Sequence, residues 1–242
     1  MPFIFVLFNE GLPQDKWPAR VVVSETAMAT CYEENSSRVA GSMLVRRPTL
    51  LSPDGHNKAY AENAAVAHGP LGQCANTAKL FVRRPGEKDF RLAYHQDPSE
   101  YELLNDIRIV DWSPNSRYLL AQLEISQWGS DWGTSVPVLY DAQTGTVTPE
   151  DWLDSVLEIH FDNHCSLDPF VERLGFTPSG GVIIRIRPAR DMVEGGLEPD
   201  SCIKTEQLFL LHPATHVIAP LAGKHKIQKY GHFVKQAKST ND

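Results

Sequence analysis

Carboxylate, imidazole and thiol groups crowd one stretch of the 242-residue chain, Glu158-Ile-His160-Phe-Asp162-Asn-His164-Cys165. On a strand, a period of two would set Glu158, His160, Asp162 and His164 along one face. Such oxygen and imidazole donors suit zinc or another divalent cation. On a helix the same four residues scatter around the circumference. The stretch continues a helix pattern that begins near Thr148, so a polar linker is the expected role. His160 and His164 stand as the candidate ligands should a metal bind, and neither a metal nor another cofactor is assigned.

Nucleophilic chemistry has no anchor. No G-x-S-x-G elbow occurs, and Gly41-Ser42 and Gly129-Ser130 do not form one. The phosphate-cradling loops of nucleotide-binding proteins are also missing; Gly195-Gly196 reads as a flexible loop. No catalytic residue is assigned. Binding is the expected activity, with a hydrolase or metal-dependent enzyme as the alternative.

Aromatic anchors offer a better candidate. The Gly-rich run Ser126-Gln-Trp128-Gly-Ser-Asp131-Trp132-Gly133 holds two indoles on a loop, and exposed loop aromatics commonly anchor binding. Trp128, Asp131 and Trp132 are therefore the candidate ligand- or partner-binding residues. The alternative is that both tryptophans pack back onto the sheet beneath. Trp112, beside a turn signal, is expected in the core.

The elements that would carry this loop repeat along the chain. Cys74-Ala-Asn-Thr-Ala-Lys-Leu80-Phe81-Val-Arg-Arg-Pro85 recurs 128 residues later as Cys202-Ile-Lys-Thr-Glu-Gln-Leu208-Phe209-Leu-Leu-His-Pro213. Turn signals precede both, Ser52-Pro-Asp-Gly55 and Thr177-Pro-Ser-Gly180, and Ser113-Pro-Asn-Ser116 supplies a third between them. Their spacings of 61 and 64 residues define repeats at about 47–95, 106–148 and 170–221.

Each repeat predicts four strands. One leads into the turn, as in Ile107–Trp112. One follows it, at 58–62, 117–123 and 182–187. One lies around Leu80-Phe81, Val138–Tyr140 and Leu208-Phe209. The last returns at 90–94, 146–148 and 217–219. Long loops are expected over 63–77, 126–135 and 188–205, clustered on one rim. Short helices are predicted over 98–104 and 149–160, each opened by a cap residue and a proline. The first 47 residues match no full repeat, although Val21–Val23 and Ser42–Val45 read as strands. Phe3–Phe8 makes a poor signal peptide and reads as a core strand, the alternative being that the export signal is missing from this chain. Residues 1–235 are expected to form one domain and 236–242 a disordered tail. The dilute lysine run from Lys224 to Lys238 reads as solvated.

The Ser52–Gly55 turn with its Ala-Tyr-Ala strand, Asp111-Trp-Ser-Pro-Asn115, and Tyr140-Asp141-Ala-Gln-Thr144-Gly145 together resemble the TolB-like β-propeller repeat family over about residues 47–221. The resemblance implies an all-β fold, a β-propeller-like array of three four-stranded repeats whose loops and central channel bind proteins or ligands. It carries no shared catalytic set. Propellers usually close with four to eight blades, so three repeats leave three options open. The N-terminal residues add a divergent blade, three units form a sandwich-like array, or a homodimer completes one ring.

The cysteines follow the repeats. Cys74 and Cys202 hold equivalent places, Cys31 and Cys165 each precede their repeat's turn, and Gly133 stands where the middle repeat would have a cysteine. Disulfides Cys31–Cys74 and Cys165–Cys202 are expected, each closing a loop of about 40 residues and worth a few kcal/mol. Such bonds indicate a periplasmic or secreted protein; four reduced thiols in the cytoplasm are the alternative. Apolar residues at 42% are enough for a core. A net charge of −7 argues against a nucleic-acid partner, and no apolar run is long enough to span a bilayer. The expected partner is a protein or a small ligand, with an inhibitor or immunity partner of a secreted toxin as a further alternative.

Overall fold

A computed structural model of the chain describes residues 20–29, 32–34, 39–41, 43–68, 73–98, 103–127, 130, 133–149, 152–161, 171–189, 201–223 and 227–234. It begins with β1 (Arg20–Val23), a separate ribbon of β2 (Tyr32–Glu34) and β3 (Val39–Gly41), then β4 (Met43–Arg46) and β5 (Leu50–Leu51). β6 (Lys58–His68), β7 (Gln73–Arg83) and β8 (Arg91–Gln96) follow as an antiparallel meander. The second sheet is the meander β9 (Leu103–Trp112), β10 (Tyr118–Gln127), β11 (Gly133–Asp141) and β12 (Thr146–Val147). Helix α1 (Trp152–Phe161) precedes the third, made of β13 (Glu172–Phe176), β14 (Val182–Ile186), β15 (Gln207–His212) and β16 (Val217–Pro220). The last strand is β17 (His232–Phe233).

The fold is mostly β, as the repeat pattern predicts. The second and third sheets have four strands each, whereas the first has seven. β4 and β5 pair in succession along β6, β1 adds in parallel to β4, and β17 adds antiparallel to β5. No sheet among the described residues closes on itself.

One turn geometry opens all three meanders. Ser52 Oγ donates to Asp54 Oδ1 (2.5 Å) and accepts from Asn57 N (2.9 Å). Ser113 Oγ repeats this with Asn115 Oδ1 (2.7 Å) and Tyr118 N (2.8 Å). Thr177 Oγ1 is hydrogen-bonded to Ser179 Oγ (2.9 Å) and accepts from Gly181 N (3.0 Å). The short polar side chain satisfies backbone groups that the turn would otherwise leave open. The fourth residue is left-handed each time, at φ 73° in Gly55, 60° in Ser116 and 87° in Gly180. A bulge recurs as well, with Val110 extra in β9 and Leu174 extra in β13, each two residues before the large core side chain of Trp112 or Phe176.

Strand alternation splits the core in two. Leu119, Ala121 and Leu123 of β10, with Val138 and Tyr140 of β11, pack against Leu80, Val82 and Ala59 of the first sheet. Leu120 and Leu139 point the other way, onto Phe176, Ile184 and Phe209 of the third sheet and Trp152, Leu153 and Leu157 of α1. The middle sheet is thus apolar on both faces near its turn end, which explains continuous runs such as Leu119-Leu120-Ala121.

Three expectations need correction. The predicted loop over 63–77 is largely strand, because β6 and β7 pair residue for residue from Lys58 opposite Arg83 to His68 opposite Gln73. Alternating small residues (Ala59, Ala61, Ala65, Ala75 and Ala78 are buried) let this long hairpin lie close to its neighbours. The helix predicted over 98–104 is not formed in its described part: Asp97 and Pro98 are irregular and Leu103-Leu104 begin β9. There the β pattern of 103–112 overrides the proline-and-acid start signal. The helix predicted over 149–160 is present as α1.

The lysine-rich C-terminal stretch is not simply solvated. Gln228 bridges Phe176 of the third sheet. Lys229 Nζ donates to Val110 O (2.7 Å), and the Tyr230 and Gly231 N–H groups each donate to the buried Asp111 carboxylate at 2.9 Å. β17 then pairs with β5 of the first sheet. The first repeat has its four strands, β5 to β8, and β1, β4 and β17 from outside it extend their sheet to seven. The predicted tail at 236–242 and the Phe3–Phe8 run lie outside the described residues.

Candidate functional site

The two faces of the middle sheet change character toward the β10–β11 tip. On the side facing the third sheet, Leu120 is succeeded by Gln122 and Glu124, and Leu139 by Ser135. Apolar packing gives way there to a cavity of about 400 Å3, lined by Gln122, Glu124 and Ser135 together with Glu172, Arg173, Leu174 and Arg187 of β13 and the end of β14.

Arg173 is the unusual member. It is only 5% exposed. Its Nη1 donates to Ser135 Oγ (2.6 Å) and to Val171 O, and its backbone N–H donates to Gln122 Oε1 (3.3 Å). Nε is buried without an acceptor. No carboxylate among the described residues pairs with this guanidinium; Asp154 acts on it only through its field. Burial pulls its pKa from the ordinary arginine value down to about 9, with Asp154 opposing the shift. The charge therefore persists at neutral pH.

The opposite interface provides a contrast within the same molecule. Arg47, equally buried between the first and second sheets, places Nη2 2.7 Å from Asp106 Oδ1 and donates through Nη1 to Ser24 O (3.2 Å). Asp106 also accepts from Asn63 Nδ2 (2.5 Å) and Arg108 Nε (2.6 Å). Buried charge is tolerated when it is paired and hydrogen-bonded. Arg47 has such a charged partner, although its Nε, like that of Arg173, finds no acceptor; among the described residues the side-chain partners of Arg173 are all neutral.

The other charges of the cavity differ in how well they are occupied. Glu172 receives Arg185 Nη1 (2.9 Å) and Arg187 Nη2, and Glu206 approaches the same two guanidinium groups at 3.2 and 3.5 Å. Glu124 is held more loosely: Gln122 Nε2 donates to it (3.2 Å), and Arg108 Nη2 stays 3.8 Å away.

None of the described residues predicted from sequence as binding or metal-ligating lines this cavity. Trp128, Asp131 and Trp132 lie outside the described residues, on the connection between β10 and β11 whose flanking strands line the cavity. Glu158 and His160 sit on α1, both exposed, with the His160 ring 4.7 Å from that of Phe161 and 5.6 Å from that of Phe209. The strand arrangement that would align them as metal ligands is therefore not formed. His164 and Asp162 lie outside the described residues, among which no group of three metal-ligating side chains occurs. Cys31 and Cys165 also lie outside them, as does the Cys74 side chain. Cys202, packed against the α1 core, is disulfide-bonded.

Sequence reasoning missed Arg173. The signal was present in the repeat alignment: counting back from the turns, Arg173 takes the place of Ile109. No helix among the described residues is long and apolar enough to cross a membrane. Comparison of the chain with protein-family models, with curated proteins and with solved structures finds no match.

Proposed function

We propose that this chain is a non-catalytic, exported binding protein of propeller type, and that it captures its ligand beside the β10–β11 tip. The observation that carries this reading is the cavity between the second and third sheets, with a buried guanidinium that no described carboxylate neutralises. A charge held in such a place is costly to fold around, and a partner of opposite charge offsets that cost. Small-molecule sites are concave, largely preformed and supplied with a few placed polar groups. Three meanders opened by one turn motif support the propeller-type reading, as does a C-terminal segment that returns to the first sheet. The bonded state of Cys202 supports export, with Cys31–Cys74 and Cys165–Cys202 as the proposed pairs.

The test is a ligand screen by thermal shift and calorimetry on the purified protein, run beside Arg173→Gln and Trp132→Ala. Saturable binding that is lost in Arg173→Gln supports the reading. Turnover of a substrate, with no saturable binding abolished by either substitution, overturns it. Non-reducing peptide mapping checks the export arm: four free thiols or a Cys31–Cys165 bond would remove it.

A further inference from the structure

We infer that the cavity between the second and third sheets binds a small zwitterion of the amino-acid class, its carboxylate on Arg173 and its ammonium on Glu124. The inference rests on the proposed binding function and names the chemistry of its ligand.

Part of the charge lining the cavity is already satisfied within the protein. Arg187 and Glu172 answer each other, with Arg185 and Glu206 completing the network. Neither is free to be the main contact of a ligand. Two side chains of opposite sign remain. Among the described residues Arg173 has only a hydroxyl and a carbonyl as side-chain partners. Glu124 has an amide hydrogen bond and a guanidinium beyond hydrogen-bond reach. One cation without a described carboxylate partner and one loosely held anion in a single small cavity complement a molecule that carries both signs.

Competing ligand classes fit less well. A dianion such as phosphate would meet Arg173 favourably, but the carboxylates of Glu124 and Glu172 line the same space and repel its second charge. A simple amine would leave Arg173 unanswered. A carboxylate answers a guanidinium with charge-assisted and often bidentate bonds, but a plain organic acid leaves Glu124 unused. Gln122 sits between the two roles. Its amide oxygen takes the Arg173 backbone N–H and its nitrogen holds Glu124, which fixes both ends of the site on one residue of β10. The volume of about 400 Å3 accepts a molecule of amino-acid size and excludes a folded partner.

A matched set of probes tests this. L-norleucine carries both charges, hexanoate lacks the ammonium and pentylamine lacks the carboxylate; inorganic phosphate covers the dianion. The expected order by calorimetry is norleucine tightest, hexanoate about tenfold or more weaker, as befits loss of one charge-assisted contact, and no saturable binding of pentylamine or phosphate. Arg173→Lys, which keeps the charge but loses the planar fork, should weaken norleucine and hexanoate alike. Glu124→Gln, at a partly exposed position that folding tolerates, should reduce norleucine to the affinity of hexanoate and leave hexanoate unchanged. Equal affinity for norleucine and hexanoate, an equal effect of Glu124→Gln on both, or tightest binding of phosphate would overturn the zwitterion assignment while leaving the cavity a binding site. Absence of saturable binding for every probe, together with a wider screen in which Arg173→Gln changes nothing, would overturn both readings.

Discussion

Arg47 and Arg173 are chemically identical and similarly buried, yet their surroundings assign them different work. Removing Asp106 leaves the Arg47 charge stranded, and breaking a buried pair in this way costs about 3–5 kcal/mol. Asp106→Ala should therefore lower the denaturation midpoint sharply, read by chemical unfolding at neutral pH. Arg173→Met should behave in the opposite sense. It removes a desolvated charge whose described partners are neutral, so no described opposite charge is left stranded. An unchanged or raised midpoint, together with loss of ligand binding, is the expected outcome; a large destabilisation would mean that Arg173 serves the fold instead of the site.

At the scale of elements, the turns and hairpin ends set the register that brings the cavity residues together. Asp141 closes the end of β11, where its Oδ1 accepts from Gln143 N (2.8 Å) and its Oδ2 receives Arg117 Nη2 at 2.8 Å. Partial burial alone would raise its pKa, but the hydrogen bonds from Arg117 and Gln143 outweigh that and hold it below the ordinary aspartate value. A carboxyl depressed in the folded state adds stability above its unfolded pKa and loses it as pH falls through the folded value. Asp141→Asn should therefore melt lower than the parent at pH 7, and the gap should close as the solution is acidified below the usual aspartate range. Melts across pH 2–7 read this directly, and a constant gap would show that geometry alone is responsible. Gly180 makes the companion case. Nothing lies within 4 Å of an added Cβ there, yet its φ is 87°. Gly180→Ala should cost about 1 kcal/mol from left-handed backbone strain alone, visible in urea unfolding.

At the scale of the molecule, residues 228–233 touch all three sheets in turn, through Phe176, Asp111 and β5. Asp111 is fully buried and its carboxylate accepts from Trp112 N as well (2.8 Å). Gly231 passes so close to the first sheet that a Cβ would lie 2.9 Å from Leu50 Cγ and 3.0 Å from Leu51 O. Gly231→Val should detach β17, and Asp111→Ala should leave two strap N–H groups without their acceptor, at about 1–3 kcal/mol each where buried. Hydrogen exchange locates the effect. Faster exchange at Leu50 and Leu51 in both variants is expected, and protection unchanged there would show that the strap adds nothing to the first sheet.

The repeated Ser-Pro-Asp-Gly, Ser-Pro-Asn-Ser and Thr-Pro-Ser-Gly turns were legible in the residues because a short oxygen-bearing side chain and a left-handed fourth position are local requirements, met within a few residues. Strand identity was legible for the same reason: alternation such as Ile184-Arg185-Ile186 records a buried and a half-exposed face. The predicted helix over 98–104 failed where a local start signal met a stronger β pattern, and the predicted loop over 63–77 failed because alanine and asparagine look loop-like until a neighbouring sheet buries them. What no stretch of sequence discloses is which partner a buried charge receives. Arg47 finds Asp106, 59 residues away, and Asn63 reaches the same carboxylate across 43. Arg173, among the described residues, finds only Ser135 and Val171. The difference between a paired structural cation and one open to a ligand depends on how sheets far apart in the chain are laid face to face, and tertiary packing alone decides it.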